Sequence, residues 1–365
     1  IAPSLVGSEM CIRDRTKCLI IADGGYEGVW TGTKVGLGLD LAMKAGLPVR
    51  DLEFVAWAPL AISGTNVVLP IGMLADGATL HHSNGTPLDV DLTADSTKLA
   101  NAIDSNGDVV LDARNMGESS VWWAQTFELV SQRLGIDMKK QTVSVHPRVA
   151  TTIGGIATDE HSRAVTGRWS RWFTGLYAAG DSACSGLHGA GLISGNRLLD
   201  AVAGGAAAGE HAAEYAKKTS HTGRAALEGA LGAVEADLDF DMAGAEEGPV
   251  QRVGPLYAKL SEIMQSSMGY TKDAAGLQSA LESLEALSES AGKVHLDDSG
   301  RLFNTNLLES LRLKAGIRLA IASTRSAMSR TESRGTHQRS DFEEEDAEQL
   351  HHTLVDSKGN LSTLA

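Results

Sequence analysis

The densest run of residues that could do chemistry lies between Gly175 and Asp200. A short apolar stretch, Leu176 to Ala179, stops at Gly180-Asp181, and Gly186, Gly189, Gly191 and Gly195 follow. The apolar stretch predicts a strand, and the residues after Asn196 predict a helix running towards Lys217. Strand, glycine loop and helix together present backbone N–H groups and a positive helix end to an electron-rich ligand. Asp181, the single acid after the strand, is placed to accept hydrogen bonds from sugar-like hydroxyls. An ordinary βα turn of a Rossmann-like sheet has the same local pattern, because short glycine motifs recur by chance. Two further pairs, Gly24-Gly25 and Gly154-Gly155, offer places where backbone could lie close to a cofactor or a flat ring.

The elements that must position these residues follow from periodicity. Leu19 to Ala22 predicts a buried parallel strand ending at Gly24-Gly25, and Leu39 to Ala45 a helix stopped by Gly46 and Pro48. Between Asp51 and Arg148, strand-like runs (Asn66 to Leu69, Val109 to Leu111) alternate with Asn-Gly turns, and Ala124 to Leu134 predicts a helix ended by Gly135. His81 and His82 sit beside one such turn, where solvent exposure is the expectation and no metal centre is expected. Beyond His221 the pattern is helical: Arg224 to Ala236, Val253 to Gln265, Ala274 to Leu287 and Leu307 to Ser329. The last carries a stripe of Leu307, Leu308, Leu311, Leu313, Ile317 and Ile321. The dense charge of Arg330 to Asp341 predicts a solvated tail.

Composition excludes several classes. The net charge of −14 argues against nucleic acid, which needs basic patches. No apolar run is long enough for a membrane span. Three cysteines (Cys11, Cys18, Cys184) without paired or metal-type spacing favour a reducing compartment. Residues 1–15 resemble a translated sequencing-adapter read and have no signal character. The protein itself is therefore expected to enter near Thr16, in the middle of a domain.

Six stretches in order resemble the succinate dehydrogenase/fumarate reductase flavoprotein family, which includes L-aspartate oxidase. The family's A-T-G-G is met by Ala22-Asp23-Gly24-Gly25, and its T-G-D-G stretch loosely by Gly36-Leu37-Gly38. Its D-[LM]-E-F-V is met by Asp51 to Val55, and its M-G-G-I-x-T-D by Ile153 to Asp159. Its G-L-Y-A-A-G-E stretch through to N-S-L-L-D is met by Gly175 to Asp200, and its R-T-E-S-R-G-x-H-x-R-x-D by Arg330 to Asp341. The resemblance implies an α/β + α fold: a split Rossmann-like FAD-binding domain, an inserted α+β capping domain and a C-terminal helical domain. The expected boundaries are 16–52 for the end of the first FAD-binding part and 53–148 for the cap. The second FAD-binding part spans 149–218 and the helical domain 219–335, with a tail at 336–365. It implies FAD, hydride transfer between an organic acid and flavin N5, and an iron–sulfur partner subunit. The expected location is cytoplasmic, peripheral to the inner membrane through partners. The glycine fingerprint that holds the FAD pyrophosphate is not in the sequence, so the chain as given is expected to bind FAD poorly.

The resemblance also marks departures. Where the family has the histidine of H-P-T, this chain has Ala58. Its T-E-G-x-R stretch falls on Pro70 to Ala78 without threonine, glutamate or arginine, and its shuttle arginine near Asp95-Ser96-Thr97. Its second histidine becomes Ala150, and the arginine of A-N-R-L becomes Leu192. A dicarboxylate needs cations and a base, so the substrate site is expected to be altered. The candidates for a rebuilt site are Arg197, which stands at the family's flavin-side serine, with His146, Arg148 and His188. The expected cofactor-binding residues are Gly24, Gly25, Gly154, Gly155, Gly180, Asp181, Asn196, Arg197 and Leu198. A working succinate dehydrogenase or aspartate oxidase, or a non-catalytic flavoprotein-like subunit, are the other readings.

Overall fold

The computed structural model describes residues 16–31, 35–90, 96–166, 171–193, 195–221 and 251–364, apart from 297–299 and 301–302, and scattered positions between 223 and 238. The expected helix at Arg224–Ala236 lies partly outside the described residues, and its described positions, 228–232 and 234–235, are helical.

The chain opens with β1 (Leu19–Ile21), a three-residue apolar strand in which Leu19 and Ile20 are exposed rather than buried as expected, followed by a short helix α1 (Gly28–Thr31) and by α2 (Leu37–Lys44). Gly46, at φ 94°, donates to the Met43 carbonyl and ends α2 as the sequence predicts. Next come β2 (Val49–Arg50), β3 (Val55–Ile62), α3 (Gly72–Ala75), β4 (Thr79–His82), α4 (Ser96–Asn106), β5 (Val109–Asp112) and α5 (Ala124–Leu134). Gly135, at φ 70°, stops α5 as predicted. A ten-residue strand β6 (Val143–Thr152) pairs antiparallel with β3 and β5, and β4 completes a four-stranded sheet in the order β3-β6-β5-β4. Pro59, which lacks an N–H for the ladder, sits where the β3–β6 register shifts between Ala58 and Ala61. Residues 66–69 form no strand. They run back along β3, with Leu69 N donating to Leu60 O and Val67 O accepting from Ile62 N. His81 and His82 lie on β4 itself, half-buried, rather than in the turn beyond it.

After β7 (Gly155–Ala157) and β8 (Arg163–Thr166), β9 (Arg171–Ala178) pairs in parallel with β1, residue Leu19 opposite Leu176. β10 (Ala183–Cys184) pairs in parallel with β7. A 23-residue helix, α6 (Asn196–Lys218), follows Gly195. Then come α7 (Val253–Ser267), β11 (Thr271–Lys272), α8 (Ala274–Ala291) and α9 (Thr305–Ser329). α8 and α9 begin at Asp273 and Asn304, whose side chains accept from Gly276 N and Leu307 N. The last strands are β12 (Gln338–Arg339), β13 (His352–Val355) and β14 (Leu361–Leu364).

Two features differ from the sequence reading. α9 is buried far beyond its leucine stripe: Ala315, Gly316, Ala320, Ser323, Thr324 and Ser326 are buried too, and α2, α7 and α8 all pack against it. Small residues let several helices approach it at once, so alanine and serine here are core residues. The expected solvated tail is the second correction. Arg330 (1%), Glu332 (0%), His337 (0%) and Arg339 (3%) are buried, and β13 lies inside a five-stranded sheet, β10-β7-β2-β13-β14. Dense charge could be buried here because each charge finds an opposite one. The acidic run at 341–346 is mostly exposed.

Besides a small apolar cluster of Tyr177, Ala179, Ala208 and Ala212, the core has two main parts. One cluster draws only on residues from Leu60 to Val145. The other gathers residues from Ile21 to Val355 and includes α7, α8 and α9.

Candidate functional site

The strand–glycine loop–helix reading of Gly175–Asp200 holds in three dimensions. β9 ends against Gly180-Asp181, and α6 starts at Asn196 after Gly195, at φ 88°. Between them lies a cavity of about 540 Å³ walled by Ala22, Gly24, Gly180, Asp181, Arg197 and Leu198. Its remaining wall is of small residues, Ala179, Gly195, Ala201 and Gly205, so little side chain intrudes on the space in front of the helix end. Leu198 is 72% exposed on this side, and Leu199 and Val202 are exposed beside it.

Asp181 is not left open to solvent hydroxyls. Arg197 Nε sits 2.9 Å from both of its carboxylate oxygens, and Nη2 makes a further close contact with Oδ2. Donating to the Asp181 carboxylate raises the guanidinium's already high pKa. The pair is a forked, charge-assisted contact across the first turn of α6. Arg197 therefore points at the acid that the sequence reading expected to accept sugar-like hydroxyls, and both side chains line the cavity.

Behind the cavity is a brace that sequence reasoning missed. Asp23 Oδ2 accepts from Gly38 N at 2.8 Å, and its Oδ1 accepts from Ser182 Oγ at 3.2 Å. Ser182, fully buried, also accepts from Gly24 N at 3.0 Å. Asp23 thus ties the end of β1 to the start of α2, and Ser182 ties β1 to the turn after β9. The only signal was an acid in the Ala22-Asp23-Gly24-Gly25 stretch and a serine beside Asp181. Gly25 has no room for a Cβ, which would fall 2.1 Å from Thr152 Oγ1. Gly154 and Gly155 are needed for a similar reason: a Cβ would meet Asp51 O at 2.3 Å and Ser182 O at 2.7 Å. At these three glycines the neighbour that demands glycine is the protein's own chain.

His146 and Arg148 do not join Arg197. They lie on alternate positions of β6, facing the same side as the exposed Ala150, and line a second cavity of about 430 Å³ with Trp57, Asp104 and Tyr270. Arg148 Nη1 donates to Thr65 O at 2.6 Å. Burial, then the charge of Arg148, lowers the His146 pKa, so the imidazole is neutral at pH 7. His188 Nε2 lies 3.5 Å from Asp200 Oδ2, at the start of α6. Among the described residues, no three or more His, Cys, Asp and Glu side chains are grouped to hold a metal ion.

A buried charge network locks the C-terminal segment under the glycine loop. Arg330 donates to Glu53 at 2.9 Å and to Glu332 at 2.8 Å, and to the carbonyls of Gln349 and His351. Its guanidinium lies over the Phe54 ring at 4.9 Å. Burial would raise the Glu332 pKa, but bonds from Arg334, the Asp346 amide and Arg330 outweigh it and hold it low. From the same segment, Thr336 N and Oγ1 both donate to Ala190 O, at 2.8 and 3.1 Å.

With this geometry in hand, comparison with known proteins is informative. Residues 15–198, half of the chain, match the FAD binding domain family, and residues 257–364 match the fumarate reductase flavoprotein C-terminal family. The chain belongs to the succinate dehydrogenase/fumarate reductase flavoprotein family. Within the family, it is 30% identical over 383 residues to the fumarate reductase flavoprotein subunit of Escherichia coli K12, covering 94% of this chain and 62% of that relative. The Mycobacterium tuberculosis fumarate reductase flavoprotein subunit is 31% identical over 94% of this chain and 64% of its own. The chain thus spans under two thirds of the length of these curated family members. A solved quinol-fumarate reductase with menaquinol molecules superimposes with a TM-score of 0.85 at 28% identity, over 96% of this chain and 66% of that one. The fold is accordingly the family's α/β arrangement with a helical part. No described helix is long and apolar enough to cross a membrane.

Proposed function

We propose that the protein is an FAD-dependent oxidoreductase that exchanges hydride between flavin N5 and an organic acid other than the family's usual dicarboxylate. The observation that carries this is the pairing of an intact frame with altered chemistry. The small-residue cavity at the start of α6 survives, while the positions where the resemblance expects histidine or arginine hold Ala58, Ala150 and Leu192. None of these three can pair with a carboxylate.

The cavity fits a flavin. Its wall of glycine and alanine leaves space a Cβ would fill, and the start of a 23-residue helix opens onto it. Gly24, Gly180, Asp181, Asn196, Arg197 and Leu198 would hold the cofactor, with Gly25, Gly154 and Gly155 keeping the backbone in place behind it. FAD would supply a two-electron acceptor. The helix end favours negative charge there by about 0.3–1 kcal/mol, and more where it is partly buried. Arg197 stands at the same edge with its charge balanced by Asp181. We further propose a capping domain at 53–148, which coincides with the apolar cluster from Leu60 to Val145. An iron–sulfur subunit is the proposed partner, in keeping with relatives named as flavoprotein subunits.

The Arg197–Asp181 fork favours one competing reading, a flavoprotein-like subunit without turnover, because the acid expected to hold a hydroxyl is already occupied. Absorbance of the purified full-length protein separates the two. A flavin band that bleaches with some organic acids and only weakly with succinate is the expected result. A protein that takes up no FAD would overturn the proposal, and full bleaching by succinate would overturn the altered substrate site.

A further inference from the structure

The second cavity has a chemistry of its own, and it does not depend on the flavin reading. Its volume of about 430 Å³ is in the range of sites for small organic molecules. It lies where the turn at 64–66, β3 and β6 meet α4 and the turn at 269–270, and its apolar walls belong to the cluster that runs from Ile21 to Val355. Two opposite charges line it without touching. Arg148 is held from behind by Thr65 O at 2.6 Å, and Asp104 by the Thr271 hydroxyl at 2.7 Å. Neither makes an ion pair among the described residues. His146 lies between their influences, with Arg148 lowering its pKa and Asp104 raising it. The apolar walls are the indole of Trp57 and the ring of Tyr270, packed edge to face at 5.5 Å. The Trp57 indole N–H, in a side chain only 9% exposed, is buried without a hydrogen-bond partner.

We propose that this cavity binds a zwitterion of the α-amino acid type with a large apolar or aromatic side chain. The reason is charge balance. Opposite charges in one half-buried space close onto each other unless the backbone keeps them apart, and here a strand and a helix do so. A simple anion would satisfy Arg148 but face Asp104. A simple cation would satisfy Asp104 but face Arg148. Leaving either charge desolvated and unpaired is costly. A ligand carrying both charges pairs with each, its carboxylate on the Arg148 guanidinium and its ammonium on the Asp104 carboxylate. The two rings line the space left for the ligand's side chain. Because the walls come from β3, β6 and α4 on one side and from the turn at 269–270 on the other, an occupied cavity would tie the capping sheet to the turn after α7.

Isothermal titration calorimetry on the full-length protein with three probes decides it. L-phenylalanine carries both charges, 3-phenylpropionate lacks the ammonium and 2-phenylethylamine lacks the carboxylate. L-phenylalanine is expected to bind at least tenfold more tightly than either single-charge probe. Arg148→Met and Asp104→Asn are each expected to weaken it at least tenfold. Asp104→Asn keeps the side-chain shape and carries the test if Arg148→Met melts early. Equal binding of the three probes, tight binding of 3-phenylpropionate alone, no heat with L-phenylalanine, or undiminished affinity in a folded Asp104→Asn protein would each overturn the proposal. The flavin band, recorded in the same samples, reports on the oxidoreductase reading separately.

Discussion

Replacing Arg330 by methionine tests how the fold carries its buried charge. Arg330 is 1% exposed and makes hydrogen bonds to Glu53, Glu332, Gln349 O, His351 O and, at 3.2 Å, to Thr353 Oγ1. Methionine retains much of the packing on Phe54 but leaves Glu53 and Glu332 buried with one cation fewer. Breaking a buried pair from one side costs about 3–5 kcal/mol, and two carbonyls lose their donor as well. Against a total stability of about 5–15 kcal/mol, the variant should be severely weakened. The loss should also depend on pH. Burial already raises the Glu53 pKa, with Arg330 as the main opposing influence, so Arg330→Met raises it further. The folded state then holds a proton on Glu53 in a window above 4.5 where the unfolded state has lost it. Stability in that window falls as pH rises, so the deficit is largest near neutrality and shrinks on acidification. Urea unfolding followed by circular dichroism at two pH values measures both effects, and Arg330→Met with Glu53→Gln should recover part of the loss. A deficit under about 1 kcal/mol would refute the buried-charge account, as would an equal deficit at both pH values.

Two other substitutions probe the same region. Lys272 is buried, and burial, then the charge of Arg339, pushes its pKa down to about 7. Between that value and 10.5 the unfolded state holds a proton that the folded state lacks, so stability should rise with pH by about 1.4 kcal/mol per unit. Lys272→Met should flatten that rise and stabilise the protein at pH 7; identical pH slopes in urea titrations would remove Lys272 as the source. Gly335, at φ 54°, faces Ala190 O, which lies 2.2 Å from where a Cβ would be. Gly335→Ala should destabilise by about 1–3 kcal/mol and speed amide exchange at Gly189 and Gly191, whereas unaltered exchange would show that the segment does not clamp the loop.

Much of this was legible in one dimension. α5 matches its predicted bounds, and α7, α8 and α9 fall within a few residues of theirs, because apolar periodicity and Gly135, Asp273 and Asn304 mark their limits. The strand–loop–helix around Asp181 was legible because its glycines have a local job. What was hidden depends on partners distant in sequence. Arg330 to Arg339 looks like a surface run until Glu53, 277 residues away, supplies the opposite charge. Asp23 and Ser182 look unremarkable until the parallel pairing of β1 with β9 brings them together. For the same reason the split of His146 and Arg148 from Arg197 could not be read: alternation along β6 shows that the first two share a face, but nothing local says which cavity that face lines.

The sheet that carries β7 and β10 has a kinetic consequence. Its strand β2, at residues 49–50, is completed by β13, at residues 352–355, and Thr353 N reaches Asp51 Oδ1 across 302 positions. The cluster from Leu60 to Val145 needs no such reach. During synthesis it can close while the rest is still being made. The sheet beneath the glycine loop must wait for a contact of very high sequence separation, whose closure entropy grows with the logarithm of the loop and whose formation is slow. Until then the chain would hold one closed apolar cluster beside an unfinished sheet, the stage at which a chaperone would find exposed apolar strand to hold.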